Sequence, residues 1–150
     1  MANAVYDIAK VDFANGGLDW DTNTIKVMAL ATGYTFSAAH TAVSSLTEIS
    51  NGTGYTGGFN GSGRKTLSSC TVVQVDGSTR AELRVSNTTV WTAINDGTIK
   101  ALAIIREMTS DADSIPIAYI DTFTGTSFPF VTNGGDLTIT WNAAGALQFT

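Results

Sequence analysis

The hydrophobic residues of this chain occur in short runs separated by clusters of Gly, Asn, Asp, Ser and Thr. Short apolar runs that are rich in β-branched residues and bounded by turn-forming residues are typical of β-strands. The pattern predicts strands over Ile25–Ala31 and over residues 66–75, 80–85, 88–94, 99–106, 115–120, 136–141 and 146–150. The stretch between residues 34 and 50 fits a loop with a helical turn as well as it fits a strand.

The residues between these runs predict how several strands are connected. Residues 76–79 read Asp-Gly-Ser-Thr, a compact turn, so we expect strands 66–75 and 80–85 to pair as a hairpin. The nearly apolar segment 99–106 is expected in the centre of a sheet, paired with strand 115–120, whose proline lies near its start. Strands 136–141 and 146–150 are expected to form a final hairpin.

The N-terminal segment has a different period. Val5, Ile8, Ala9 and Phe13 recur at helical spacing after Asn3, a candidate N-cap, and residues 15–17 (Asn-Gly-Gly) supply a stop. A strand is the weaker alternative here. We therefore expect residues 1–20 to be an N-terminal helix or arm and residues 21–150 a β-domain, together one folding unit. The fold class is mainly β: an antiparallel β-sandwich, jelly roll or barrel with a short helix.

A glycine-rich segment interrupts the strand pattern, with six glycines among the thirteen residues 51–63. This density predicts a long, mobile loop or extended arm rather than packed structure. Its aromatic residues, Tyr55 and Phe59, lack a core periodicity, and with Trp20 they are the candidate surface aromatics. Trp91 and Trp141 lie in strand patterns and are expected in the core.

Composition and charge exclude several classes of function. With 43% hydrophobic and 14% charged residues the chain should fold, and a net charge of −5 with scattered Lys and Arg argues against nucleic-acid binding. One cysteine and one histidine leave too few ligands for a disulfide or a protein-only zinc site. The sequence has no apolar run of transmembrane length and no recognisable export signal.

Candidate catalytic and metal-binding motifs are incomplete. His40 has no nucleophile-elbow sequence near it, and the alternating acidic turn at residues 19–23 lacks the Gly and Glu that complete a calcium loop. Asp111 and Asp113, near Glu107, are expected on a solvated loop. The glycines of residues 52–58 do not have the spacing of a phosphate-binding loop. We therefore expect no enzymatic activity, no cofactor and no metal, and infer a role in binding or assembly.

Several segments, in order and over most of the chain, carry a family resemblance. They are residues 3–9 (Asn-Ala-Val-Tyr-Asp-Ile-Ala), 18–20 (Leu-Asp-Trp), 24–27 (Thr-Ile-Lys-Val), 101–105 (Ala-Leu-Ala-Ile-Ile), 116–122 (Pro-Ile-Ala-Tyr-Ile-Asp-Thr) and 133–141 (Asn-Gly-Gly-Asp-Leu-Thr-Ile-Thr-Trp). The pattern resembles a family of small structural proteins of tailed bacteriophages and prophages. The glycine-rich residues 51–63 depart from the family's usual middle.

The resemblance implies a virion component, made in the host cytoplasm. It implies in particular a capsid decoration (cement) protein, a homotrimer that binds the major capsid protein at local three-fold positions on the outer head surface and stabilises the head. Membranes and nucleic acid are not expected partners.

We expect the contacts on the N-terminal segment and the glycine-rich segment, which hold apolar and aromatic residues outside the strand pattern. The candidate interface residues are Tyr6, Ile8, Phe13, Trp20, Tyr55, Phe59 and Arg64. The alternative is a tail or fibre subunit with a receptor- or glycan-binding surface formed by Trp20, Tyr55 or Phe59. A depolymerase would need clustered carboxylates in a cleft.

Overall fold

The computed structural model describes residues 3–50, 52–75, 77, 80–86, 88–123 and 126–149, the side chains of 126 and 127 excepted. These residues form antiparallel β-sheets with one short α-helix, which confirms the predicted mainly β, sandwich-like class. The helical elements are α1 (Asp7–Ala14) and a 3₁₀ turn (Val43–Ser45). The strands are β1 (Ala4–Val5), β2 (Ile25–Ala31), β3 (Lys65–Thr66), β4 (Thr71–Gln74), β5 (Ala81–Arg84), β6 (Thr88–Trp91), β7 (Thr98–Arg106), β8 (Ile115–Ile120), β9 (Thr122–Phe123), β10 (Thr126–Ser127), β11 (Phe130–Val131), β12 (Leu137–Thr140) and β13 (Leu147–Phe149).

The largest sheet has the strand order β1-β8-β7-β2-β3, with β11 also pairing with β7. The long apolar strand β7 lies in its centre, between β2 and β8, as the sequence predicts. Two irregularities interrupt the register: one near Leu30 and Ala31 against β7, the other near Ile104 and Ile105 against β8. These β-bulges change which face of the sheet the following side chains occupy.

The central strands are mostly apolar because both faces of the sheet are covered. One face of β2 and β7 supplies Val27 and Ile104 to a core shared with the smaller sheets. The opposite face supplies Met28 and Ile105 to a second cluster. Tyr34, Val43 and Leu46 cover that second cluster. They belong to the stretch between residues 34 and 50, for which the sequence pattern fitted both a loop and a strand. This stretch is a loop with a 3₁₀ turn, and it covers one face of the sheet.

The second layer consists of two smaller sheets, β13-β5-β4 and β12-β6. Leu83 of β5, Trp91 of β6 and Ile139 of β12 point into the shared core and are at most 1% exposed. Trp91 and Trp141 are both buried, as their strand positions predict.

The predicted N-terminal helix is confirmed, but its start differs. The N-cap is Tyr6, without a side-chain capping bond, while the Asn3 amide bonds the backbone of Thr122 instead. The helix ends at Ala14, and Asn15 is its C-cap. Gly16 follows with a φ of 71°, a conformation that favours glycine. β1 pairs with β8, and Ala9 is fully buried, so this segment is part of the core. No helix in the described residues is long and apolar enough to cross a membrane.

Two strand predictions are wrong. Residues 66–75 are not one strand: β3 pairs with β2 and β4 with β5, and the chain turns between them at Ser69, where φ is 53°. Strands β12 and β13 do not form a hairpin with each other, since β12 pairs with β6 and β13 with β5. Local alternation identified the strands, but the partners are set by packing across the core. The hairpin β4–β5 is confirmed, although turn residues 76, 78 and 79 lie outside the described residues.

Candidate interaction surface

The structure separates the seven predicted interface residues into three places and buries four of them. Tyr6 is 0% exposed, Trp20 and Tyr55 are 1% exposed, and Arg64 is 5% exposed. The expectation that Trp20 and Tyr55 lie on the surface is therefore wrong. Both side chains can be buried because the polar group of each has a hydrogen-bond partner inside the protein. Phe59 is 36% exposed, and Ile8 and Phe13 are partly buried.

Tyr6 belongs to an aromatic cluster beneath the loop that covers the large sheet. Its hydroxyl lies 2.8 Å from that of Tyr34, and the Tyr34 hydroxyl lies 2.9 Å from Nδ1 of His40. Phe36 packs against both Tyr6 and Tyr119. Burial, with a further contribution from the hydrogen bond to Tyr34, raises the pKa of Tyr6 far above its usual value. His40 therefore has a structural partner in this cluster.

The glycine-rich segment is packed against the body of the protein, contrary to the prediction of a mobile arm. A Cβ on Gly63 would lie 2.4 Å from the Tyr55 ring, and one on Gly52 would lie 2.3 Å from Cβ of Asp96. Several of these glycines are therefore needed for close approach as well as for flexibility. The Tyr55 hydroxyl accepts a hydrogen bond from the Ala29 N–H and donates one to Glu48.

A buried ionic network holds the end of this segment in place; we call it the Arg64 network. It comprises Arg64, Glu48, Asp111, Glu107 and Lys26. Arg64 donates from Nε and Nη2 to Glu48, and from Nη1 and Nη2 to Asp111, at 2.5–3.1 Å. Its Nη1 lies 3.5 Å from Glu107, which also pairs with Lys26. The network thus joins Glu48, before the glycine-rich segment, to Arg64, directly after it, and connects both to strand β2 and the β7–β8 loop.

The electrostatics of the network explain why a guanidinium is tolerated there. Burial by itself would lower the pKa of Arg64, but the hydrogen bonds to Asp111 and Glu48 outweigh it, so the pKa rises above its usual value. Burial, reinforced by the negative charge of Glu48, raises the pKa of Tyr55 well above its usual value, so the phenol remains protonated and can donate. Arg64 is thus an internal cross-link, not a surface contact.

An apolar groove remains open beside α1; we call it the α1 groove. It has a volume of about 290 Å³ and is lined by Phe13, Leu18, Trp20, Val72, Leu83 and Phe149, with Gly16 and Asp19 at its edge. Phe13 packs edge-to-face on Phe149, with ring centroids 5.2 Å apart. Val72 is 54% and Phe149 42% exposed. The Trp20 indole N–H donates to the Arg84 carbonyl, which fixes the ring as the floor of the groove.

The sheet β13-β5-β4, which we call the small sheet, carries charge on its outer face. Glu82 is 1% exposed and accepts hydrogen bonds from Arg80 on one side and Arg84 on the other. The hydrogen bond from Arg84, followed by that from Arg80, lowers the pKa of Glu82. The sheet β13-β5-β4 is therefore apolar towards α1 and ionic towards solvent.

A larger cavity, about 510 Å³, lies elsewhere and is lined by residues that include Asn3, Phe123, Trp141 and Asn142. Its polar groups are largely engaged: Asn3 bonds the backbone near Thr122, and Oδ1 of Asn142 accepts from the Ala144 N–H. The Trp141 indole N–H donates to Thr89, and the residue is only 5% exposed. The indole of Trp141 is therefore largely inaccessible to a ligand in this cavity.

The candidate acidic pair does not form a catalytic dyad. Asp111 is bound to Arg64, whereas Asp113 accepts hydrogen bonds from Thr109 and Ser110 within its loop, and these lower its pKa. Among the described residues, no three His, Cys, Asp or Glu side chains are grouped so as to hold a metal ion.

Two features of the candidate surface and its surroundings were missed by sequence reasoning. The partners of Arg64 are separated from it by 16 and 47 positions, and no short motif signals such a network. Val72 and Phe149 lie in segments that the strand pattern identified, but their exposure depends on which strands flank them. Comparison of the chain with protein-family models, with curated proteins and with solved structures found no match in any of the three.

Proposed function

We propose that this protein is a structural subunit of a bacteriophage virion, a capsid decoration protein that binds the outer surface of the major capsid lattice as a homotrimer and stabilises the head. The resemblance of the ordered segments at residues 3–9, 18–20, 24–27, 101–105, 116–122 and 133–141 motivates the proposal. It acts by binding, without an enzymatic step.

The observation that carries the proposal is the α1 groove. It joins two residues that the sequence nominated for contact, Phe13 and Trp20, to the exposed side chains of Val72 and Phe149. Apolar side chains that are exposed next to one another mark interaction sites more often than scattered single ones do. The contact surface is thus the N-terminal segment with the small sheet, and the glycine-rich segment contributes mainly Phe59.

A rigid interior supports the same role. Both faces of the large sheet are covered, and the Arg64 network closes the glycine-rich segment onto it. A cement protein works through many weak symmetric contacts, so each copy must present its contact residues without paying to order them first. A groove on a fixed sheet meets that requirement better than a mobile arm.

Electron microscopy of purified virions is the direct test. We expect density for this protein on the outer head surface, at local three-fold positions, which is absent from particles made without the gene. Adding the purified protein back should restore the density and the resistance of the heads to heat. Density in the tail would overturn the proposal and support the alternative.

Point substitutions test the groove more sharply than truncation, since removing the first dozen residues would take Tyr6 and Ala9 out of the core. Phe149→Asp places a charge in the groove and should weaken binding to heads at least about tenfold. Val131→Asp is the matched control, because Val131 is 66% exposed but lies on β11 of the other sheet. Equal binding by the two variants would remove the groove from the interface.

The tail or fibre alternative has less support. Sugar binding by aromatic stacking needs an exposed ring face, and of Trp20, Tyr55 and Phe59 only Phe59 is exposed. Measurable binding of a host-surface glycan by the isolated protein, lost in Phe59→Ala, would favour that alternative instead.

A further inference from the structure

Strand β4 ends the small sheet, and nothing in the described part of the chain pairs with its outer edge. Natural sheets protect such edges with charged residues, proline, bulges or a covering segment. β4 reads Thr-Val-Val-Gln, with none of these residues, and Thr71, Val72 and Gln74 are exposed. The opposite edge strand, β13, instead lies beside β1, where Ala146 and Leu147 line a small cavity with Ala4 and Val5.

The backbone groups that are free on this edge follow from the register with β5. Antiparallel strands alternate between residues that bond the partner and residues whose N–H and C=O point away. The Val75 N–H donates to the Arg80 carbonyl, so pair 75–80 is a bonded pair. In the same register Thr71 and Val73 also bond β5, whereas Val72 and Gln74 direct their N–H and C=O outward. Two donors and two acceptors are thus presented, two residues apart.

We propose that this edge is a self-association site, at which β4 of a second copy of the chain adds antiparallel and joins two small sheets into one continuous six-stranded sheet. The strand fits its own copy. When Val73 lies opposite Val73 of the second copy, Val72 of each strand lies opposite Gln74 of the other. The four outward groups of each copy then form four hydrogen bonds between the two strands, without using residues outside β4.

The charges on and beside β4 permit this occupant. The protein carries a net charge of −5, so two copies repel wherever their surfaces are acidic, but β4 itself carries no charge. On the outer face, the neighbouring Glu82 is already paired with both Arg80 and Arg84. Because the two-fold axis lies between the strands, the Glu82 residues are separated by three strand spacings, about 14 Å, which exceeds the screening length of about 8 Å at physiological salt.

Packing adds a second contribution on the inner face. Val72, 54% exposed, lines the α1 groove, and the Gln74 side chain of the incoming strand would cover it. The contact is nevertheless small, so we expect weak, reversible pairing. On a surface lattice, many copies held close together would make such pairing effective. The inference itself concerns the free chain and does not depend on the proposed virion role.

Disulfide trapping tests the register directly. Cys70→Ser first removes the single native thiol, and Val73→Cys is then introduced, because residues facing each other in a non-bonded pair lie close enough for a disulfide. Under mild oxidation we expect covalent dimers of this variant in solution. The matched control is Val131→Cys in the same background, more exposed at 66% but on β11.

A blocking substitution completes the experiment. Gln74→Pro removes one outward N–H while leaving the β4–β5 bonds in place, and proline is tolerated on a strand edge that faces solvent. It should abolish the dimer formed through Val73→Cys, with an unchanged circular dichroism spectrum; if it unfolds the chain, Val72→Lys serves the same purpose. Equal cross-linking at positions 73 and 131, or cross-linking that persists in a folded blocked variant, would overturn the inference, and so would a wild-type protein that remains monomeric by sedimentation at about 0.5 mM.

Discussion

The glycine-rich segment and the small sheet beside α1 differ in where their side chains lie: those of the first are largely buried, and several of the second are exposed. The glycine-rich segment turns inward: Tyr55 and Arg64 are buried, and their polar atoms find partners on Ala29, Glu48 and Asp111. The small sheet turns outward, with Val72 and Phe149 exposed and the β4 edge unpaired in the described chain. The two exposed apolar side chains lie on strands whose sequences look like those of ordinary strands, so composition alone does not identify them as exposed.

This contrast shows that glycine content and exposure are separate properties. Glycines at 52 and 63 permit a close approach that brings a tyrosine and an arginine into the interior. Val72 on β4 remains exposed because the sheet ends there. The exposure of an apolar side chain therefore depends on which strand lacks a neighbour, and not on which segment is richest in glycine.

Arg64→Met should break the inward region with the largest effect. The substitution removes all the donors that Arg64 directs at Glu48 and Asp111, and leaves these carboxylates with only their remaining partners at a buried site. Removing one partner of a buried ionic network typically costs about 3–5 kcal/mol. Urea unfolding at pH 7 measures the loss.

Lys10→Met is the control for that prediction. Lys10 pairs with Asp7 on the surface of α1, where its side chain is 57% exposed, so the change should stay within about 0.5 kcal/mol. A similar small effect for Arg64→Met would mean that the glycine-rich segment is not held by the network.

Sequence patterns predicted most of the longer strands and the N-terminal helix because alternation and apolar runs are local properties. Ile25–Ala31 was predicted with its observed bounds, and the pairing of the central strand with 115–120 is confirmed. Partners across the core could not be predicted in the same way. Trp20 reads as a turn residue, but its indole N–H reaches Arg84, 64 positions away, and such contacts leave no periodic signal.

Gly63→Ala tests whether close approach, rather than flexibility, explains the glycines. The new Cβ would lie 2.4 Å from Cδ1 and Cε1 of the buried Tyr55 ring, so the segment must shift, at a cost of about 1–3 kcal/mol. Gly33→Ala is the matched control, because a Cβ there meets nothing within 4 Å. Thermal unfolding should show a clear loss for the first variant alone, and equal loss in both would show that flexibility is what matters.

Glu82→Gln should remove a pH-dependent contribution to the stability of the small sheet. The arginines lower the pKa of Glu82 in the folded state, so its contribution is fully present above the ordinary carboxyl pKa and is lost as pH falls through the lowered one. The variant should thus be less stable than wild type at pH 7, with the difference shrinking as pH falls below about 4. Melting curves of both proteins from pH 7 to pH 3 measure this, and a difference independent of pH would contradict it.

Val72→Ala should give the smallest effect on folding and thereby sharpen the contrast between buried and open positions. Val72 is 54% exposed, so in dilute solution the loss should stay within about 0.5 kcal/mol. Val27→Ala removes the same atoms from a fully buried site and should cost about 2–3 kcal/mol, since transfer and cavity effects add. Paired urea titrations at low protein concentration compare the two. A large loss at Val72 would mean that its side chain packs against other residues of the same chain. The edge of β4 would then be covered within one copy and would not be a contact site.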